Sequence, residues 1–233
     1  MTYAKREDGR KFDELRPMEA KVGVIPRADG SAMFKIGKTI AYAAVYGPKA
    51  LHPTHLRNPE TGIIRCNYNM MSFSGSGDRI RPGPSRRSKE INLVMAKALS
   101  PVMDLSDYPN TVVDVFVELL QTDAGTRCAG ITAASLALAD AGIAMKDLVV
   151  AFAVGKVGDK VVVDLDYSEE SFEEGATDIP IAVMPRTGKL TLLQLDGDIT
   201  REEIKEALEK SKKAVKQLYD VQKEALKAKY EEK

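Results

Sequence analysis

One stretch constrains this chain more than any other: Gln121–Gly142, QTDAGTRCAGITAASLALADAG, entered from the β-branched run Val112–Leu120. The pattern predicts a strand, a glycine turn and a helix over Gly130–Ala141 that stops at Gly142, a suitable residue just past a helix end. The helix's Ala, Ser and Thr side chains let neighbouring backbones come close, which places it at the centre of the fold. The turn carries chemistry of its own. First-turn amides lack intrahelical partners and the helix dipole is positive there, while Arg127 adds a donor fork and Thr126 a hydroxyl. Those groups suit an anion; they also suit a plain helix cap beside a surface arginine.

The rest of the chain reads as strands and helices in no strict alternation. Strands are expected at Met18–Ile25 and Ala32–Lys38 around a turn at Pro26–Ser31, and at Thr39–Tyr46, ending at the stop signal Gly47-Pro48. Ile63–Phe73 is a further strand, and Ser74–Ser85 (SGSGDRIRPGPS) a surface loop. A helix begins near Ser85 or Ser88 with Ile91, Val94, Ala98 and Val102 on one face. Two hairpins follow the central helix, Val149–Val157 with Lys160–Leu165 and Ile179–Met184 with Leu190–Leu195. Thr200 and Glu203 form a capping box. It opens an amphipathic helix over 200–232 that turns Ile204, Leu208, Ser211, Val215, Leu218 and Ala225 inward. The expectation is an α+β fold, one domain over 1–233, with mixed sheet layers packed against helices.

Charge narrows the function classes. Lys plus Arg and Asp plus Glu number 34 each among 233 residues, so nucleic-acid binding would have to rest on a local patch. Asp78–Glu90, DRIRPGPSRRSKE, is one such patch, with Arg79, Arg81, Arg86, Arg87 and Lys89 running from a loop into a helix. It fits a phosphodiester backbone or simply a solvated charged loop. Asp164, Asp166, Glu169, Glu170, Glu173, Glu174 and Asp178 form an acidic stretch that fits Mg²⁺ coordination near those arginines, or a solvated acidic loop. His52 and His55 lack a third ligand, and neither a P-loop nor a dinucleotide-binding glycine pattern is present. Cys66 and Cys128 read as two reduced thiols. The polar start MTYAKREDGRKF carries no signal-peptide pattern, and no apolar run is of membrane-spanning length, so a cytoplasmic protein with no membrane partner is expected.

Four ordered motifs resemble the RNase PH family. Asp123–Gly142 is similar to its D-[AG]-G-[ST]-R run entering an alanine-rich helix, and SRRSKEI (Ser85–Ile91) to its R-[ST]-x-E-I motif. LDYSEES (Leu165–Ser171) resembles its L-x-Y-x-E-D-S motif, and ATDIPIAVMP (Ala176–Pro185) its aspartate-bearing strand. DGRKFDELRP (Asp8–Pro17) and VYGP (Val45–Pro48) resemble the exosome branch, and the catalytic ring subunit of the archaeal exosome within it.

The resemblance implies a ribosomal protein S5 domain 2-like fold and a phosphorolytic 3′→5′ exoribonuclease. Such an enzyme degrades single-stranded RNA to nucleoside diphosphates, with 3′ tailing as the reverse reaction. It implies Arg87, Gly125, Thr126 and Arg127 as the phosphate site, and Lys49, Arg65 and Arg86 as contacts to RNA phosphates. Tyr68 is implied as a stacking platform, and Asp178 as metal ligand or acid. With inorganic phosphate as co-substrate, Mg²⁺ would sit on Asp178 and Glu170. Glu170 stands where the family has aspartate, and Glu173 and Glu174 compete for that role. The implied partners are a related non-catalytic subunit in a hexameric ring and RNA-binding cap proteins. Two other readings stay open: a homo-oligomeric enzyme trimming transfer RNA 3′ ends, and a non-catalytic RNA-binding scaffold subunit.

Overall fold

Two sheets face each other across one helix in the computed structural model, which describes residues 3–81, 83–172 and 175–231. The first half of the chain supplies β1 (Met18–Val22), β2 (Gly30–Ile36), β3 (Thr39–Ala50), β4 (Ile63–Met70), α1 (Arg86–Leu99) and β5 (Thr111–Gln121). These strands form a five-stranded sheet in the order β1-β2-β3-β5-β4, with β4 parallel to β5 and the other pairs antiparallel. Then come α2 (Thr126–Asp140), β6 (Val150–Val157), β7 (Lys160–Val163), the one-turn α3 (Tyr167–Glu170), β8 (Ala176–Met184), β9 (Lys189–Leu193) and α4 (Arg201–Glu231). The second sheet is antiparallel in the order β7-β6-β8-β9. The fold is α+β, as the interspersed elements lead one to expect.

Helix α2 is the shared centre. It packs on β2, β3 and β5 on one side and on β6 and β8 on the other. Twelve of its fifteen residues are buried, so it needs no amphipathic face. Its few hydroxyls meet backbone of the second sheet. Thr132 Oγ1 accepts from the Ala151 N–H at 3.1 Å and Ser135 Oγ from the Val149 N–H at 2.8 Å. Apolar side chains of both sheets close on it in one cluster that includes Phe34, Val115, Ile131, Leu136, Phe152 and Ile181. Truncating Leu136 to Ala there costs about 2–5 kcal/mol.

Three expectations are corrected. β3 does not stop at Gly47-Pro48. Its pairing with β5 shifts register between Tyr46 and Lys49, then resumes with Lys49 opposite Val112 and Ala50 opposite Thr111. A bulge absorbs the proline, which has no N–H for the ladder. Helix α1, capped by Ser85, buries Ile91, Met95, Ala98 and Leu99, while Val94 lies at the margin. In α4 the expected Ser211, Leu218 and Ala225 are buried together with Ala207, Ala214 and Gln222, and Ile204, Leu208 and Val215 flank them. Small residues take the line of closest approach because the helix lies flat against β1, β6 and β7. Among the described residues no helix is long and apolar enough to cross a membrane.

Candidate functional site

The turn between β5 and α2 is tightly bent. Ala124 and Gly125 adopt left-handed φ values of +55° and +60°, a geometry that is free for glycine and strained for alanine. Thr39 at the start of β3 staples the turn. Its hydroxyl accepts from the Asp123 N–H at 2.9 Å and lies 2.9 Å from the Asp123 and Ala124 carbonyl oxygens. The unpaired first-turn amides of α2 therefore start at a fixed place, and α2 begins at Thr126, four residues before the helix start expected from the sequence.

A cleft of about 290 Å³ opens there, lined by Arg87, Gly125, Thr126, Arg127, Glu170 and Asp178 together with Asp196 and Gly197. Residues from three regions of the sequence meet in it. Arg87 comes from the first turn of α1. Gly125, Thr126 and Arg127 come from the turn and α2, and Glu170 and Asp178 from α3 and β8. Arg127 is aimed by its partners: Nη1 donates to Gln194 Oε1 at 2.7 Å and stands 3.9 Å from Glu90 Oε1. Asp196 sits beside Asp178 because each donates its N–H to the other's carbonyl at 2.9 Å.

The carboxylates feel each other. Burial, then the nearby Glu170, pushes Asp178 up to about 7, with Asp196 adding to the rise and Arg127 and Arg87 opposing it. Burial also raises Glu170, against the Gly125 N–H and the guanidinium groups of Arg87, Arg16 and Arg127. Among the described residues Asp178 Oδ1 is buried without a hydrogen-bond partner. Such an orphan acceptor is costly unless a proton or cation completes it.

Other expected site residues lie elsewhere. Arg65 and Lys49 are drawn to Asp114, with Arg65 Nε 2.6 Å from Oδ1 and Lys49 Nζ 2.7 Å from Oδ2. That trio lies near the start of β5, about 20 Å along the strand from the cleft at 3.3 Å per residue. Burial alone would raise the Asp114 carboxyl, but the bonds from Arg65 and Lys49 hold it below the usual range. Arg86 is exposed on the first turn of α1, outside the cleft. Tyr68 is corrected outright: it is only 2% exposed and packs inside the core beside α2, so no base can stack on it.

The acidic stretch divides. Only Glu170 and Asp178 of its described members reach the cleft, and Glu173 and Glu174 lie outside the described residues. Asp164 and Glu169 are buried against Arg16 and Arg6. Sequence reasoning missed Gln194, Asp196 and these two arginines. Apart from the Asp8–Pro17 motif that contains Arg16, no local signal marked them.

Comparison with known proteins gives the family. The RNase PH description "3′ exoribonuclease family, domain 1" matches residues 14–144, and "domain 2" of the same family matches residues 147–214. The chain belongs to the 3′ exoribonuclease family. It is 53% identical over 225 residues to the exosome complex component Rrp41 of Methanopyrus kandleri, covering 97% of this chain and 93% of that one. It is 52% identical over 226 residues to Rrp41 of Pyrococcus furiosus, covering 97% and 89%. Among solved structures this RNase PH chain superposes on rice Rrp46 with a TM-score of 0.84 at 27% identity, covering 95% of this chain and 100% of that one. It also resembles a chain of the Archaeoglobus fulgidus exosome with RNA bound to the active site, with a TM-score of 0.78, 26% identity, and 93% and 92% covered.

Proposed function

We propose that the chain is the catalytic subunit of an exosome ring and degrades single-stranded RNA from its 3′ end by phosphorolysis. Its likeness to archaeal Rrp41 over 97% of its length supports the assembly. The observation that carries the chemistry is the convergence of Arg87, Arg127 and the α2 N-terminus opposite Glu170 and Asp178 in one cleft.

In this reaction an oxygen of inorganic phosphate attacks the phosphorus of the last phosphodiester. The bond from phosphorus to the preceding 3′ oxygen breaks, the terminal nucleotide leaves as a nucleoside diphosphate, and the 3′ oxygen takes a proton. Two anions must meet first. At about 4 Å and an effective dielectric near 20, each like-charge pair costs roughly 4 kcal/mol. Arg87, Arg127 and the free amides after Gly125 offset that repulsion and hold the attacking phosphate in line. Burial and the neighbouring Glu170 raise the Asp178 carboxyl to about 7, so without a bound cation it can lend a proton to the leaving 3′ oxygen. The reverse reaction, 3′ tailing from nucleoside diphosphates, follows from the same geometry.

Mg²⁺ fits the donor set. Among the described residues no three acidic, His or Cys side chains form a closed cage. Mg²⁺ typically takes one or two carboxylates and completes its shell with water and phosphate oxygens. Glu170 and the unpartnered Asp178 would hold it, and when bound it would neutralise charge on the transferring phosphoryl group. Backbone contacts carry no base information, so sequence preference is expected to be weak.

The ring partner is proposed to be a related non-catalytic RNase PH-like subunit, with RNA-binding cap proteins above it. The exposed Leu190 and Leu193 on the edge strand β9 support a covered neighbour surface. The buried free thiols of Cys66 and Cys128 suit a reducing cytoplasm. The test is an assay of the assembled chain on a 3′-labelled single strand. Nucleoside diphosphates released only with added phosphate support phosphorolysis, and monophosphates released without it overturn it. Binding without turnover in any assembly would favour the scaffold reading.

A further inference from the structure

The anion-binding turn is strained, and one buried side chain grips it from beneath. Two non-glycine residues that Arg16 touches or underlies have left-handed backbone, Ala124 at φ +55° and Asp164 at φ +58°, a conformation strained for any side chain beyond glycine. Arg16 touches both segments and is 5% exposed. Its Nε and Nη2 donate to the Asp164 carboxylate at 2.9 and 2.7 Å, and its backbone N–H donates to the same group at 2.8 Å. Its Nη1 donates to the Asp123 carbonyl at the turn itself. Arg16 Nη2 stands 3.3 Å from where a Cβ on Gly125 would lie, so the guanidinium is packed directly under the turn. Room for its stem depends on Gly37, where a Cβ would come within 2.5 Å of Arg16 Cδ.

Arg16 is not among the residues lining the cleft. An arginine needed only to neutralise Asp164 would have no use for a third arm on the turn. We propose that Arg16 is a positioning residue for the phosphate site. It fixes Asp123–Gly125 so that the first-turn amides of α2 and Arg127 meet inorganic phosphate in one geometry. The inference rests on the phosphorolysis reading and adds to it the group that preorganises the anion pocket.

Arg16→Lys keeps the charge but loses the planar fork, so one ammonium cannot reach Asp164 and the turn together. Gly37→Ala leaves the guanidinium intact and displaces its stem. Both variants are compared with the wild-type chain in its assembled complex, titrating inorganic phosphate and RNA separately and recording thermal unfolding. The expected result for each folded variant is a KM for phosphate raised about tenfold, with the KM for RNA unchanged. A merely structural role would lower the folded fraction and kcat with both KM values unmoved, and that result overturns the inference. If Arg16→Lys fails to fold, Gly37→Ala decides alone. Calorimetric titration of the wild type with phosphate separates the two layers. No binding and no phosphate-dependent release sinks the phosphorolysis reading and this inference with it. Normal wild-type phosphorolysis with unshifted variants sinks only the role of Arg16.

Discussion

The cleft and the N-terminal anchor are built from the same residue types and are left in opposite states. In the anchor, Arg6 forks onto Glu169 at 2.8 and 2.7 Å and donates to the Val163 and Asp164 carbonyls at 2.9 and 2.7 Å. Tyr3 completes Glu169 with a hydroxyl donated at 2.8 Å. In the cleft, Asp178 faces Glu170 with an orphan oxygen, and Arg127 leans on a neutral amide. Fully paired buried charges fix geometry, whereas unmatched ones are held in readiness for a ligand. Arg16 joins the two, since its carboxylate partner belongs to the anchor and its carbonyl partner to the cleft.

Reversing the charge in the cleft should have the largest effect. Arg127→Glu is expected to lower phosphate-dependent release at least about 10³-fold. Circular dichroism and the thermal midpoint should stay near wild type; a comparable loss of folding would show that the cleft is as structural as the anchor. In the anchor, Glu169→Ala strands Arg6 as an uncompensated buried charge and should cost about 3–5 kcal/mol, read by urea unfolding. A cost below about 1 kcal/mol there would erase the distinction.

Removing Asp178's charge should stabilise the protein. Its carboxyl is raised from 3.8 to about 7, so between those values the native state holds more protons than the unfolded chain. This group's contribution to stability therefore falls as pH rises from about 4 to about 7. Asp178→Asn, inactive, should unfold at higher urea than wild type at pH 8 without divalent cation, by no more than about 4 kcal/mol. The advantage should vanish near pH 4, and Mg²⁺ should stabilise wild type but not the variant. Equal stability at pH 8 would mean the cleft carboxylates are as well satisfied as the anchor's. Smallest is Arg65→Ala at a half-exposed ion pair, with a stability change under about 1 kcal/mol. If Arg65 meets an RNA phosphate, the salt dependence of binding should drop by about one unit of slope.

What could be read from the sequence tracks how local each signal is. The Asp123–Gly142 turn and helix, the Ser85 cap and the Thr200–Glu203 box lie within a few residues, so their chemistry is visible in one window. The roles of Arg6 and Arg16 lie in partners about 150 positions away, which no spacing rule connects. Asp164 and Glu169 read only as members of an acidic stretch suited to Mg²⁺ or to solvent for the same reason: their acidity is local, their burial is not. Tyr68 was legible and misread. In β4 it alternates with Arg65, Asn67 and Asn69 and shares the inward side with Cys66, so the period of two already turned its ring away from solvent. Gly47-Pro48 misled because a proline forbids one ladder bond but not the strand beyond a bulge.

The anchor also orders events in time. Residues 3–16 leave the ribosome well before Asp164 and Glu169, which hold Arg16 and Arg6 and emerge some 150 positions later. A nascent chain can complete the first sheet and α2 while its leading segment still dangles and the carboxylates of the cleft are unmade. Closure of that strap has to wait until the chain has passed Glu169, and the cleft until it has passed Gly197.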